Sequence, residues 1–344
     1  MKISNLSKPP DLQDEDRQQH PPSPRTFWVV FVLIFLVMTG LVLWQGVWYE
    51  RSEIAELVNT EGATETVKMK DISLELVLKN VQPLEKGHFE AWVSDGITPQ
   101  SIGRFNINSE GLFEDLDFKP IAENTFSFET EKTKELSRVF VTIEQTGDDD
   151  STPSDIEFLS GKIVDDVAEL AFSAFDFTEA SGSYILLTPT NDPDEELEQS
   201  GIWFFIPENP FRTSLILNDA PTGWTYEAWI DQDGKAFSVG RFSSVVGKDS
   251  SSDFSGEQEG PAFPGEDFLQ NPPEGFTFPL YLADGSFQVF ISIEPDISGF
   301  DPTGGAPFQL QPLFDTIPEN LEDRTAEELE QSLDNIPEGV ATFQ

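Results

Sequence analysis

The sequence predicts an all-β protein, built as two tandem antiparallel β-sandwich modules of the Ig-like kind behind one N-terminal transmembrane helix. Three observations predict it. From about residue 70 the chain is written in short alternating runs, such as ISLELVL, FEAWV, TFSFET, SYILLTP and SFQVFISIEP, separated by Gly, Pro, Asn and Asp clusters, the pattern of antiparallel strands. One passage occurs twice: residues 89–105 read FEAWVSDGITPQSIGRF and residues 226–242 read YEAWIDQDGKAFSVGRF. Finally, residues 27–49 are twenty-three residues without a charge.

In chain order, the opening 26 residues are polar and proline-rich, and are expected to be a disordered cytoplasmic arm. Residues 27–49 follow, about 34 Å long as a helix at about 1.5 Å per residue, enough to cross a bilayer. Trp28 stands at one end, and Trp44, Trp48 and Tyr49 at the other, where interfacial aromatic belts form. Bulky residues continue to Tyr49, unlike the small-residue cleavage site of a signal peptide. Lys2, Lys8, Arg17 and Arg25 precede the segment and Arg51 alone closely follows it, so the basic-residue bias puts the N-terminus in the cytoplasm and the C-terminal bulk outside the cell membrane. Residues 50–67 are expected to be a stalk.

The repeat sets the module boundaries. Seven of the seventeen positions are identical, and a second pair, RVFVTIEQ at 138–145 and FQVFISIEP at 287–295, follows in the same order. The first module is therefore placed at 68–178 and the second, enlarged by an insertion at 247–279, at 180–318. In the tail 319–344, Thr325 and Glu328 make a capping-box pattern, with Ala326, Leu329 and Leu333 on one face of an expected short helix.

Each copy of the repeat reads as a strand, a seven-residue turn and a returning strand. A constant index sum across an antiparallel pair sets Phe89 against Phe105, Glu90 against Arg104 and Ala91 against Gly103; likewise Tyr226 against Phe242, Glu227 against Arg241 and Ala228 against Gly240. A register two residues away would instead set Arg104 over Trp92 and Arg241 over Trp229. In either register the arginines have structural partners. A ligand-binding role would need them free.

Composition excludes several classes of function. Four of the 20 basic and four of the 63 acidic residues lie in the first 26, leaving 16 against 59 in the part beyond the anchor. Such a field repels nucleic acid and favours cations or cationic partners. There is no cysteine, hence no disulfide or thiolate site. The two histidines are His20 in the arm and His88 at a strand start. No HExxH, GxSxG or phosphate-loop pattern occurs, so no catalytic residue and no cofactor is assigned and a non-enzymatic role is expected. Calcium is the one cofactor with a candidate site: Asp231 and Asp233 in DQDG, with DDD at 148–150 and NDPDEE at 191–196 as further oxygen donors. The same Asp and Gly residues also suit a hairpin turn. In the insertion, Phe254, Phe263, Phe268 and Phe276 either staple the loop to the sandwich or, at Phe263 and Phe268, form a contact loop.

The pattern aromatic–Glu–x–Trp–hydrophobic, a turn, then Ser–hydrophobic–Gly–x–Phe resembles the extracytoplasmic domain of the anti-sigma-K factor family, which follows a single membrane helix. SGIWFFIP at 200–207, APTGWTYEAWI at 220–230, GPAFPGEDFLQNPP at 260–273 and SIEPD at 292–296 extend the resemblance over the second module; FEAWVSDG, SIGRF and VTIEQ carry it in the first. It implies the sandwich fold and the topology behind one membrane helix. Family members that hold a sigma factor do so through a folded cytoplasmic domain, often with a His and Cys zinc motif, where this chain has 26 residues and no cysteine. The reading is a membrane-anchored extracytoplasmic binding or sensing protein, with the bilayer and an envelope or protein partner as its contacts. The alternatives are a transcription regulator acting through the arm or a sigma-factor-binding partner, and a surface hydrolase.

Overall fold

The runs of apolar residues at every second position become strands in antiparallel sheets, and the computed structural model describes them over residues 69–121, 124–131, 135–192 and 197–344. The arm with His20, the 27–49 anchor and the 50–67 stalk lie outside the described residues. Among the described residues there is no helix, hence none long and apolar enough to cross a membrane.

The first half contributes β1 (Met69–Lys79), β2 (His88–Ser94), β3 (Pro99–Ile107), β4 (Phe113–Glu114), β5 (Thr125–Glu131), β6 (Arg138–Glu144), β7 (Glu157–Val164) and β8 (Val167–Ala171). The second half contributes β9 (Ser181–Leu186), β10 (Gly201–Trp203), β11 (Phe205–Ile206), β12 (Arg212–Thr213), β13 (Leu215–Ile216), β14 (Trp224–Gln232), β15 (Lys235–Phe242), β16 (Gly265–Asp267), β17 (Phe287–Pro295) and β18 (Leu313–Thr316). The tail adds β19 (Glu327–Glu328), β20 (Glu330–Gln331) and β21 (Glu338–Phe343).

The expected tail helix is therefore corrected to strands. β19 pairs with β9, β20 with β18, and β21 inserts between β1 and β8. The capping-box pattern at Thr325 and Glu328 loses to tertiary pairing: Leu329 is buried and its N–H donates to the Gly182 carbonyl, while Leu333 stays 37% exposed. A local helix signal is weak beside sheet edges that need partners.

One nine-stranded sheet runs β4-β3-β2-β6-β7-β8-β21-β1-β5. It curls until its ends meet, with the Phe126 ring of β5 at 5.7 Å from Phe105 of β3. In the second half, β15-β14-β17-β18-β20 forms one sheet and β13-β9-β10-β16 another, with β11 and β12 as a small ribbon. The Tyr184 hydroxyl of β9 donates to Asp315 Oδ2 of β18 at 2.7 Å, tying those two sheets together.

The halves share one apolar core. Phe158 lies 6.0 Å from Phe308, and Phe172 is edge-on to Trp224 at 5.2 Å. The described residues accordingly form one compact unit. The insertion supplies β16 to the sheet, and Phe254, Phe268, Phe276 and Phe278 ring Phe237 at 4.8–6.3 Å. Phe268 is fully buried, so of the two alternatives it is a staple, and the contact-loop reading is withdrawn for it. Phe263 is half-buried and stacks on Phe205 at 5.4 Å.

Candidate functional site

The repeated passage forms the hairpin β2–β3 in the first copy and β14–β15 in the second. Both take the register set by the constant index sum: Phe89 faces Phe105, Glu90 faces Arg104 and Ala91 faces Gly103; Tyr226 faces Phe242, Glu227 faces Arg241 and Ala228 faces Gly240. Above that point each hairpin slips by one residue, so that Trp92 faces Ser101 and Trp229 faces Ser238. The slip is a β-bulge at the same place in both copies.

The bulge also shortens the turn. Instead of seven residues, the first copy turns through 95–98 and the second through Asp233 and Gly234 alone. Asp233 at φ 56° and Gly234 at φ 77° give the two-residue turn that matches strand twist. Asp231 Oδ1 accepts the Gly234 N–H at 3.0 Å. The two calcium candidates thus sit in and next to the turn, and among the described residues no group of three His, Asp or Glu side chains is arranged to hold a metal ion. Residues 193–196 of NDPDEE lie outside the described residues.

Alternation along β2 sends Phe89, Ala91 and Val93 into the apolar core and His88, Glu90, Trp92 and Ser94 to the other face, which is also buried. On that face the two copies repeat one polar constellation. Arg104 Nε donates to Glu90 Oε2 at 3.0 Å, and Arg241 Nε to Glu227 Oε2 at 2.7 Å. The indole N–H of Trp92 donates to Thr142 Oγ1 at 2.8 Å, and that of Trp229 to Ser292 Oγ at 2.8 Å. Those hydroxyls donate onward to Glu144 and Glu294. Each of these glutamates also caps a backbone N–H, of Ser154 at 3.0 Å and of Phe308 at 2.8 Å. Each tryptophan stacks on a phenylalanine of the neighbouring strand, Trp92 on Phe140 at 6.1 Å and Trp229 on Phe290 at 6.4 Å.

Comparison with family models, curated proteins and solved structures found no match. The site is therefore read from its own geometry.

That geometry differs between the copies in one place. In the second, the position of His88 is taken by Thr225, whose hydroxyl donates to the Phe242 carbonyl at 3.2 Å. In the first, His88 stands directly between Asn106 on β3 and Glu144 on β6, since strand pairing sets Phe89 against Phe105 and His88 against Glu144. All three are at least 97% buried, and His88 Nε2, Asn106 Oδ1 and Glu144 Oε2 have no hydrogen-bond partner. His88 Nε2 is 3.8 Å from Glu90 Oε2, too far for a hydrogen bond. His88, Asn106 and Arg104 line an open cleft of about 530 Å³, rimmed by Glu85, Lys86, Asp148 and Asp149.

The carboxyls respond to these surroundings. Burial pushes Glu90 up, but His88, Ser101 and Arg104 outweigh it and hold the carboxyl below its ordinary range. Burial pushes Glu144 up, reinforced by the charges of Asp148 and Glu90. Glu227 is raised by burial despite Arg241, and Glu294 by burial to about 7. Glu144, Glu294 and Asn106 were not singled out from the sequence. The glutamates had a signal, since VTIE and SIE place a lone carboxylate at one matched position of two apolar strands; Asn106 had none.

A second buried acidic group surrounds β16. Asp267 Oδ1 accepts the Trp203 indole N–H at 2.8 Å and its Oδ2 accepts the Thr190 N–H at 2.7 Å; Glu266 accepts from Ser251 and Phe254, and Asp249 from Gly265 and Ser251. Burial raises Glu266 to about 7 and Asp267 and Asp249 to about 6. Every one of these carboxyls has donors facing it, so the group reads as a fastening of the insertion.

Proposed function

We propose that the chain is a membrane-tethered, non-enzymatic binding or sensing protein, presenting outside the cell an all-β body that carries the repeated hairpin twice and is related to the extracytoplasmic domain of anti-sigma-K factors. The apolar segment 27–49 is its tether and the first repeat its binding face. The observation that carries the reading is the contrast between the copies. Both copies hold the same arginine–glutamate and tryptophan–hydroxyl–glutamate bonds, but only in the first does the frame also hold buried polar atoms of His88, Asn106 and Glu144 without partners, beside an open cleft, and buried polar groups ordinarily have partners.

In-cell cross-linking with mass spectrometry tests it, comparing the full chain with a version ending soon after residue 66. Envelope partners captured by the full chain and lost from the short version are the expected result. A sigma factor or its binding partner captured by both versions would overturn it in favour of a transcription regulator working through the arm, the second reading, which the motif resemblance at 200–207 and 260–273 favours.

A further inference from the structure

We infer that the first-repeat cleft binds a cationic N–H donor group, a primary ammonium or a guanidinium, seated against His88 and Asn106 beneath Asp148 and Asp149. The inference rests on the binding reading above and names the chemistry of its ligand.

Asn106 Oδ1 offers lone pairs only and stands on the cleft wall without a partner. His88 lines the same wall with its Nε2 turned toward Glu90 Oε2 at 3.8 Å. The charges around them lean the same way. Glu85, Asp148 and Asp149 line the cleft against Lys86 and Arg104, and Arg104 is neutralised by Glu90 at 3.0 Å while its Nη2 donates to the Asp150 carbonyl at 3.1 Å. Glu90 and Glu144 stand behind the wall. The chain as a whole carries a net charge of −43, so an anion would enter against the field and a cation with it.

The cleft, at about 530 Å³, has room for an alkylammonium or guanidinium side chain. The second copy is an internal control, since Thr225 replaces the histidine and Glu294 has no orphan oxygen. There the same frame satisfies itself.

Histidine supplies the readout, because His20 and His88 are the only two in the chain. The full-length protein in micelles, labelled with ¹⁵N at histidine, is titrated at neutral pH with a blocked tripeptide carrying a central lysine, with 1,5-diaminopentane, and with acetate as the anionic control. The expected result is a saturable shift of the His88 ring at about millimolar probe or below, with His20 unmoved, and weakening by about threefold in Asp149→Asn, an exposed rim position where a lost ion pair changes affinity modestly. A response to the tripeptide alone assigns the site to a protein partner, and a response to both amines assigns it to free amines as well. His88 unmoved by either amine, or moved equally by acetate, would overturn the inference; if envelope partners are still captured, the binding reading stands without it.

Discussion

Glu227 and Arg241 illustrate how far single residues can be read. Their pairing follows from the index sum alone, and so does that of Glu90 and Arg104. The bulge above them does not, because nothing in Trp92 or Trp229 announces that the register will slip by one residue. Gly103 shows in retrospect why it is needed: a Cβ there would lie 2.2 Å from the Phe126 ring, which belongs to the far edge of the curled sheet. That contact joins residues distant in the sequence, so no local pattern reveals it. Gly103→Ala is accordingly expected to destabilise the protein by about 1–3 kcal/mol, the usual cost of overpacking, measured by urea unfolding. An unchanged midpoint would mean that Phe126 can move aside freely. The orphan atoms of His88 and Asn106 were equally invisible, since whether a buried polar side chain finds a partner depends on strands and loops that a sequence does not place.

Among the elements, long strands with strict alternation were legible and short or locally ambiguous ones were not. ISLELVL, FEAWV, YEAWI and FQVFISIEP all lie in strands of the nine-stranded and five-stranded sheets. The hairpin of β7 and β8 escaped because its turn is Asp165–Asp166, two left-handed aspartates at φ 50° and 64° without a glycine to mark them. The tail was misread as helical because its partners are edges far away in the chain. β21 fills the space between β1 and β8, with Ala341 buried there and facing Leu76 across the ladder. Removing residues 338–344 leaves two strand edges unpaired in the middle of a sheet. Such a truncation is expected to lower the thermal midpoint by several degrees, since each kcal/mol lost costs about 2 °C in a domain of this size and two unpaired edges cost more than one; a midpoint equal to that of the full chain would show that β21 is dispensable.

At the scale of the whole molecule, the duplicated passage suggested two modules, and the strands on either side of residue 179 bury one continuous core through Phe158, Phe172, Trp224 and Phe308. Buried carboxyls then shape how the molecule answers to pH. Glu266 and Glu294 at about 7, with Asp249 and Asp267 at about 6, lie above their unfolded values near 4. The folded state therefore holds more protons between about pH 4 and 7, and their contribution is fully present below the unfolded value and is lost as pH rises through the folded ones. Glu90, held low, acts in the opposite sense, below the unfolded value. Urea midpoints at constant ionic strength are expected to be higher at pH 5 than at pH 8, and Glu294→Gln should reduce the difference. Greater stability at pH 8 would contradict the assignment.

Whether the repeated arginines are architecture or ligand contacts is decided most directly by Arg104→Ala beside Arg241→Ala in the full chain. Each removes the partner of a glutamate at most 4% exposed, a loss of about 3–5 kcal/mol for a fully buried pair, brought down to about 2 kcal/mol by the solvent reaching Arg104 and Arg241. The expected result is that both variants lose stability to urea by comparable amounts, while Arg241→Ala, whose arginine lies outside the cleft, still captures the same cross-linked envelope partners under native conditions. Unchanged stability together with lost partners would contradict it, and would make the twice-written passage a recognition surface.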